Sequence, residues 1–110
     1  MNRYELYAVN LDPTIGAEIK KTRPCVIISP DEMNKYLQTV QVAPLISQER
    51  KIPSRVKIEA TSTSGLKNDS FAALDQLKTI DKQRCSTYIG RISETEAMTI
   101  ADVLCKMYQY

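Results

Sequence analysis

Apolar and polar positions follow strand-like patterns over most of the chain and change to a helical period only near its end. The stretch YELYAV (Tyr4–Val9) is rich in strand formers and partly alternates, which predicts a first strand. DPTIG then punctuates: Asp12 and Pro13 suit the first two positions of a tight turn, and Gly16 permits a positive φ. CVIIS (Cys25–Ser29) is a continuous apolar run of strand length, which predicts burial of both its faces. PDEMNKY (Pro30–Tyr36) reads as a turn or one helical turn. TVQVAPL (Thr39–Leu45) alternates, and Pro44 is expected to end regular pairing or to place it on an edge. RVKIE (Arg55–Glu59) alternates cleanly with Val56 and Ile58 inward, and TSTSGLKND (Thr61–Asp69) reads as a loop. SFAALDQL (Ser70–Leu77) and STYIGRI (Ser86–Ile92) read as further strands.

Ser93 and Glu96 have capping-box spacing. After them Ala97, Ile100, Ala101, Leu104 and Tyr108 recur at helical spacing, with Val103 and Met107 widening the stripe. Short strands followed by one C-terminal helix predict a mainly β domain, a small and strongly curved barrel with a helix packed on it. Neither an internal repeat nor a second domain is visible, so residues 1–110 are expected to form a single domain.

Composition narrows the chemistry. At 43% hydrophobic and 25% charged residues the chain has ordinary globular balance. A domain of this size buries roughly 65% of its unfolded surface, so a second subunit would add useful margin. The net charge of +2 does not by itself mark a nucleic-acid binder, which leaves the argument to local distribution. The three cysteines, Cys25, Cys85 and Cys105, form no CxxC pair, and Cys25 and Cys105 are expected as small buried apolar residues in a reducing cytoplasm. No apolar run has membrane-spanning length, and Met1–Asn10 carries charges where a signal peptide needs an apolar stretch. A cytoplasmic protein without membrane contact is expected.

The sequence holds no histidine, which removes Ser-His-Asp triads, Cys-His pairs and paired-histidine ribonuclease chemistry. Gly16, Gly65 and Gly90 are too scattered for a phosphate-binding glycine loop, and no acidic cluster suggests a metal, so no cofactor is expected. What remains is cationic. Glu18–Arg23 sets three cations against one anion, and Glu49–Lys57 carries Arg50, Lys51, Arg55 and Lys57 against Glu49. These are either solvated loop charges or, if both loops reach one rim, a groove that tracks phosphates. Pro24 pushes Arg23 into extended geometry at the mouth of a strand. A planar fork held there suits a phosphodiester, and the competing reading is a surface ion pair with Glu18 or Asp12.

ELYAVNLDPTIGAEIKKTRPCVIISP, VAPLIS, DSFAALDQLKTIDKQR and the final helix, in that order and spacing, resemble the MazF/PemK/Kid family of toxin endoribonucleases from bacterial toxin–antitoxin pairs. The resemblance implies an SH3-like barrel with a C-terminal helix, assembled as a homodimer. It implies metal-independent cleavage of single-stranded RNA at a short preferred sequence, leaving 2′,3′-cyclic phosphate and 5′-hydroxyl ends. It further implies a cognate MazE-like antitoxin whose C-terminal tail occupies the RNA groove, with DNA met only through the toxin–antitoxin complex.

Carried over by residue, Arg23 matches the family's catalytic arginine and Glu18 the acid of the turn, either orienting Arg23 or contacting RNA. Where the family has Thr-Ser after VAP and one further residue, Ile46-Ser47 stands here, so Ser47 is the candidate hydroxyl, although a regular strand would turn it to the opposite face. Ala17 and Ala73 stand where some members carry histidine and arginine, so the Kid-like acid–base set is absent as a set. Expected RNA contacts are Lys20, Lys21, Thr22, Gln48, Arg50, Asp75, Gln76 and Lys78, with Asp75 also suited to tying loops together. Thr79 and Asp81 serve the fold in this reading. Base preference would come from Lys20–Thr22, Gln48–Pro53 and Thr61–Asn68, and Tyr88, Tyr108 and Tyr110 are available for stacking. Two other readings are a CcdB-like barrel that poisons DNA gyrase by binding, and a barrel that binds RNA or antitoxin and cleaves poorly.

Overall fold

The computed structural model describes residues 1–109. The fold is mainly β. Seven strands, β1 (Glu5–Asn10), β2 (Thr22–Ile27), β3 (Thr39–Ile46), β4 (Arg55–Ile58), β5 (Ser70–Ala73), β6 (Lys78–Asp81) and β7 (Cys85–Arg91), form one antiparallel sheet with the order β4-β5-β3-β2-β1-β7, and β6 pairs with β3. Two helices accompany it, α1 (Asp31–Tyr36) and α2 (Glu94–Met107).

The apolar run that ends β2 and continues just past it does what its pattern predicts. Val26 and Ile28 enter one core with Leu6, Ala43, Leu45, Ile58 and Ile100, while Cys25 and Ile27 enter a second with Val9, Val40, Val42 and Ile80. Burial pushes the Cys25 thiol up to about 12, which makes it an inert filler of that second core. β2 begins three residues before the run, because Thr22 and Arg23 pair with Asn10 and Val9 of β1.

Pro44 does not put β3 on an edge. β3 is central: it pairs with β2 through Pro44, and on its other side exchanges β6, last at Val42, for β5, first at Leu45. The proline, which has no N–H to give a ladder, lies between the two partners. The expected strand over Ser70–Leu77 is two strands joined by a 3-10 turn at Leu74–Gln76. Leu74 is fully buried directly after buried Ala72 and Ala73, which breaks strand alternation.

The sheet's two ends, β4 and β7, are bridged by the turn after β4. Arg91 N–H donates to the Thr63 carbonyl at 3.0 Å. A Cβ on Gly90 would lie 2.2 Å from the Ser64 oxygen, and one on Gly65 (φ 70°) 2.2 Å from the Ile89 oxygen. Only glycine allows this backbone-on-backbone closure.

α2 starts at the capping box: Glu96 N–H donates to Ser93 Oγ at 3.1 Å, and Ser93 N–H donates to Glu96 Oε1 at 2.9 Å. Its buried stripe is narrower than predicted. Ala97 and Ile100 are buried and Val103 and Leu104 partly so, whereas Ala101, Met107 and Tyr108 are exposed. Cys105 is exposed too, against the expectation of burial, because it falls beside the stripe on the solvent face. No helix among the described residues is long and apolar enough to cross a membrane.

Candidate active site

The loop from β1 to β2 is folded by its own polar groups. Glu18 Oε1 accepts from Ile15 N–H at 2.7 Å, and Asp12 Oδ1 accepts from Lys21 N–H at 3.2 Å. Asp12–Pro13 is cis, and Lys21 adopts φ 73° as the chain enters β2. Two residues later Arg23 emerges, half-buried, with its Nε–H donating to the Lys20 carbonyl at 2.9 Å. Its two terminal nitrogens bond no described residue, and no described carboxylate lies within ion-pair distance. Neither Glu18 nor Asp12 neutralises it, so the surface ion pair considered from the sequence does not form.

Arg23 borders a cleft of about 350 Å³ shared with Ser47, Lys67, Asn68 and Ser70, floored by Pro24 and Leu45. Four separate stretches supply it: β2, the end of β3 with the residue after it, the loop leading into β5, and Ile89 of β7. Ser47 lies just beyond the end of β3, exposed and lining this cleft together with Leu45 two residues earlier. Ser47 thus lies on the opposite side from Ile46, as strand alternation expects, and that side is the one facing the cleft. The side carrying Leu45 and Ser47 is the Arg23 side, and Ile46 is not among the lining residues. The far wall is set by the glycine contact just described, since Gly65, Leu66, Lys67 and Asn68 follow the point where the loop locks onto β7. Among the cleft's described lining residues are two cations and two hydroxyls but no carboxylate.

A second cleft of about 410 Å³ holds Glu18, Asp75, Gln76 and Lys78, beside Ala17 and Pro44. Here the polar groups are engaged. Arg55 Nε–H and Nη2–H donate to Asp75 at 2.6 and 2.9 Å, and Ser54 Oγ–H donates at 3.0 Å. The Arg55 hydrogen bonds hold the Asp75 carboxyl down at about 2, below the usual carboxylate range. Gln76 accepts from Ile19 N–H at 2.9 Å and donates to the Ala17 carbonyl at 3.2 Å. Lys78 Nζ donates to the Leu11 carbonyl at 3.1 Å.

The remaining candidates are dispersed. Thr22, one residue from Arg23 along β2, lines a different hollow with Asn10, Arg84 and Ser86. Lys20, Lys21, Gln48 and Arg50 are exposed. Tyr88 is 54% exposed and packs edge-on to Tyr7, ring centroids 5.5 Å apart. Tyr108 is exposed, and Tyr110 lies outside the described residues. The described residues contain no cluster of three metal-ligating side chains.

Arg55 was expected only as one cation of the Glu49–Lys57 run, and Lys67 and Asn68 only as part of the Thr61–Asn68 loop; the partner of Arg55 and the place of the other two beside Arg23 were not. Arg55 lies opposite buried Ala73 in the β4–β5 register, so the guanidinium that pairs with Asp75 comes from the neighbouring strand and not from the position two before it. Sequence spacing carries no signal for that cross-strand relation.

Residues 2–108 match the family model of the PemK-like, MazF-like toxin of type II toxin–antitoxin systems. The chain is 35% identical to the endoribonuclease MazF of Staphylococcus epidermidis over 106 residues, covering 94% of this chain and 88% of that one. Its fold matches the crystal structure of MazF from Deinococcus radiodurans with a TM-score of 0.85 at 19% identity, covering all of this chain and 97% of the other. It also matches an endoribonuclease from a mycobacterial species solved with its cognate antitoxin, with a TM-score of 0.78 at 21% identity over 96% and 92% of the two chains. With the family model spanning nearly the whole sequence, this chain belongs to the PemK-like, MazF-like toxin family of type II toxin–antitoxin systems.

Proposed function

We propose that the chain is the toxin of a toxin–antitoxin pair, a metal-independent endoribonuclease that cuts single-stranded RNA in the Arg23 cleft. One observation carries the reading: the Arg23 guanidinium borders a cleft that it shares with Ser47, Lys67 and Ser70, with no described carboxylate to neutralise it. A cation left unpaired in a hollow is arranged for an anion that arrives.

RNA brings its own nucleophile. The 2′-hydroxyl gives its proton to solvent as its oxygen bonds to the adjacent phosphorus, the bond from phosphorus to the 5′-oxygen breaks, and that oxygen takes up a proton from solvent. The products are a 2′,3′-cyclic phosphate and a 5′-hydroxyl. Arg23 meets the extra negative charge of the five-coordinate phosphorus, and Ser47 supplies a hydroxyl that donates to a phosphate oxygen or relays a proton. Electrostatic placement of this kind lowers the barrier without a bound metal. Lys67 and Asn68 extend the cleft, and Lys20, Lys21, Gln48 and Arg50 give exposed groups for the rest of the strand.

In this reading Glu18, Asp75, Gln76 and Lys78 shape the loops beside the cleft through the bonds they already make. The toxin acts in the cytoplasm as a single-domain homodimer until a cognate antitoxin tail lies across the RNA path. The mycobacterial relative solved with its antitoxin supports that partner class. The family match falls on the ribonuclease side, away from a gyrase-binding poison.

The test is incubation of the purified protein with a long single-stranded RNA in EDTA, followed by mapping of the ends. Discrete cuts with 5′-hydroxyl ends, lost in Arg23→Ala, are expected. RNA that stays intact with the wild-type protein overturns the proposal.

A further inference from the structure

The Arg23 side chain is oriented by one bond, from Nε–H to the Lys20 carbonyl. Lys20 belongs to an exposed loop, and an exposed loop by itself offers a poor anchor. The segment just before it, however, is held from across the fold. Gln76 bonds Ile19 N–H and the Ala17 carbonyl, 57 and 59 residues away in sequence. The Ile19 N–H that Gln76 receives belongs to the residue preceding Lys20, so the Gln76 amide holds the chain two peptide units before the carbonyl that receives Arg23.

The turn carrying Gln76 is itself fixed. Leu74 N–H donates to the Ser54 carbonyl at 2.9 Å, and Asp75 is gripped by Ser54 and by both donors of Arg55. The Arg55 side chain is only 9% exposed. A bidentate pair with one nearly buried partner fixes direction as well as distance. The order of support runs from Arg55 to Asp75, along the turn to Gln76, across to Ile19, and from Lys20 to the guanidinium.

We infer that Gln76 is a positioning residue for Arg23, acting from the second cleft through Ala17, Ile19 and Lys20. Its kinetic consequence rests on the reading of the Arg23 cleft as the cleavage site. Both hydrogen-bonding faces of its amide are used on the loop, so it sets the angle at which the guanidinium enters the Arg23 cleft. It does not read a base.

Two readouts test this. The first is the side-chain Nε–H resonance of Arg23, assigned by its disappearance in Arg23→Lys and followed by hydrogen exchange. Gln76→Ala is expected to speed that exchange about tenfold while the remaining amide spectrum stays folded. Gln76→Met, which keeps side-chain length and removes both polar groups, gives the same result if the alanine variant unfolds. Gln76→Glu keeps the acceptor for Ile19 N–H but loses the donor to the Ala17 carbonyl, and is expected to restore the protection only in part. Unchanged exchange in a folded Gln76→Met protein overturns the inference whatever the kinetics.

The second readout is single-turnover cleavage against binding of the same RNA carrying a 2′-deoxy sugar at the cut. Gln76→Met is expected to slow cleavage about tenfold with Kd within about twofold, and to add nothing in an Arg23→Lys background, which lacks the Nε–H. A raised Kd, with an effect that persists in that background, means that Gln76 touches RNA directly and overturns the inference. A wild-type protein that does not cleave overturns the proposed function, while the exchange measurement still decides the positioning.

Discussion

The two clefts flanking Pro24 and Pro44 are of similar size and draw on similar residue types, yet they differ in how their polar groups are occupied. In the second cleft Asp75, Gln76 and Lys78 each bond another part of the chain, and Glu18 closes its own turn. In the first, the Arg23 terminal nitrogens bond no described residue. The difference teaches that charge at a rim does not identify a site, whereas charge without an internal partner does. Groups already satisfied contribute stability and geometry. Groups left open at a cost in solvation are those available to a ligand.

Removing the open cation is the strongest way to break the contrast. Arg23→Ala is expected to lower the single-turnover cleavage rate by about 10² to 10³, or about 3–4 kcal/mol of transition-state stabilisation. Because Arg23 holds no described ion pair, the urea midpoint is expected to move little. A large loss of stability with modest loss of cleavage would reverse the roles assigned to the two clefts.

Next in size is the wall of the Arg23 cleft. Gly65→Ala forces a Cβ against the Ile89 carbonyl at a left-handed φ. It is expected to cost about 2–3 kcal/mol of stability by chemical denaturation, the sum of backbone strain and a main-chain clash. Lys67 and Asn68 shift with the loop, so cleavage falls as well, while the bonds around Gln76 stay intact.

How far these clefts were legible in the sequence follows from which relations are local. The extended backbone of Arg23 at the mouth of β2 was legible because Pro24 is its neighbour and excludes helical geometry. Both-face burial of β2 was legible as an unbroken apolar run, and the α2 start as Ser93 and Glu96 three apart. The turn at Leu74–Gln76 was not, because LDQ reads as strand continuation until Leu74 is seen to be buried and Asp75 to be held by Arg55. The Gly65–Gly90 closure was equally hidden, since the distance between those backbones depends on a barrel that must already be formed. Cross-strand register, unlike turn chemistry, leaves no mark on spacing.

Breaking the second cleft should change stability before it changes chemistry. Asp75→Asn leaves the largely buried Arg55 guanidinium facing a neutral amide, and is expected to cost about 1–2 kcal/mol, reduced by the solvent that reaches the carboxylate. The pH dependence has a definite sign. The folded carboxyl titrates at about 2, below its ordinary value, so its stabilisation is complete above about pH 4 and is lost as pH falls toward 2. Denaturation midpoints of wild type and Asp75→Asn should converge over that range and stay parallel above it. On the other side, Ser47→Ala is expected to slow cleavage about tenfold with stability unchanged, and Ile46→Ala to leave the hydroxyl contribution intact, because Ser47 lines the cleft.

The smallest expected effect is the most discriminating between the clefts. Glu18 carries the one carboxylate of the TIGAE turn, and a base for the 2′-hydroxyl is the role its charge invites. Its Oε1 instead accepts from Ile15 N–H, and it lines the other cleft, not the one that Ser47 lines. Glu18→Gln retains an oxygen acceptor at the same reach and removes only the charge and the basicity. A turn-closing role therefore predicts a cleavage rate within about threefold of wild type and an unaltered pH–rate profile. A base would lose about 10² or more and shed the acidic limb of that profile. Glu18→Ala, which also removes the acceptor, should fall below Glu18→Gln by loosening the loop that presents Lys20 to Arg23. If the two variants are equally and severely impaired, the carboxylate reaches the reacting atoms, and the two clefts work as one.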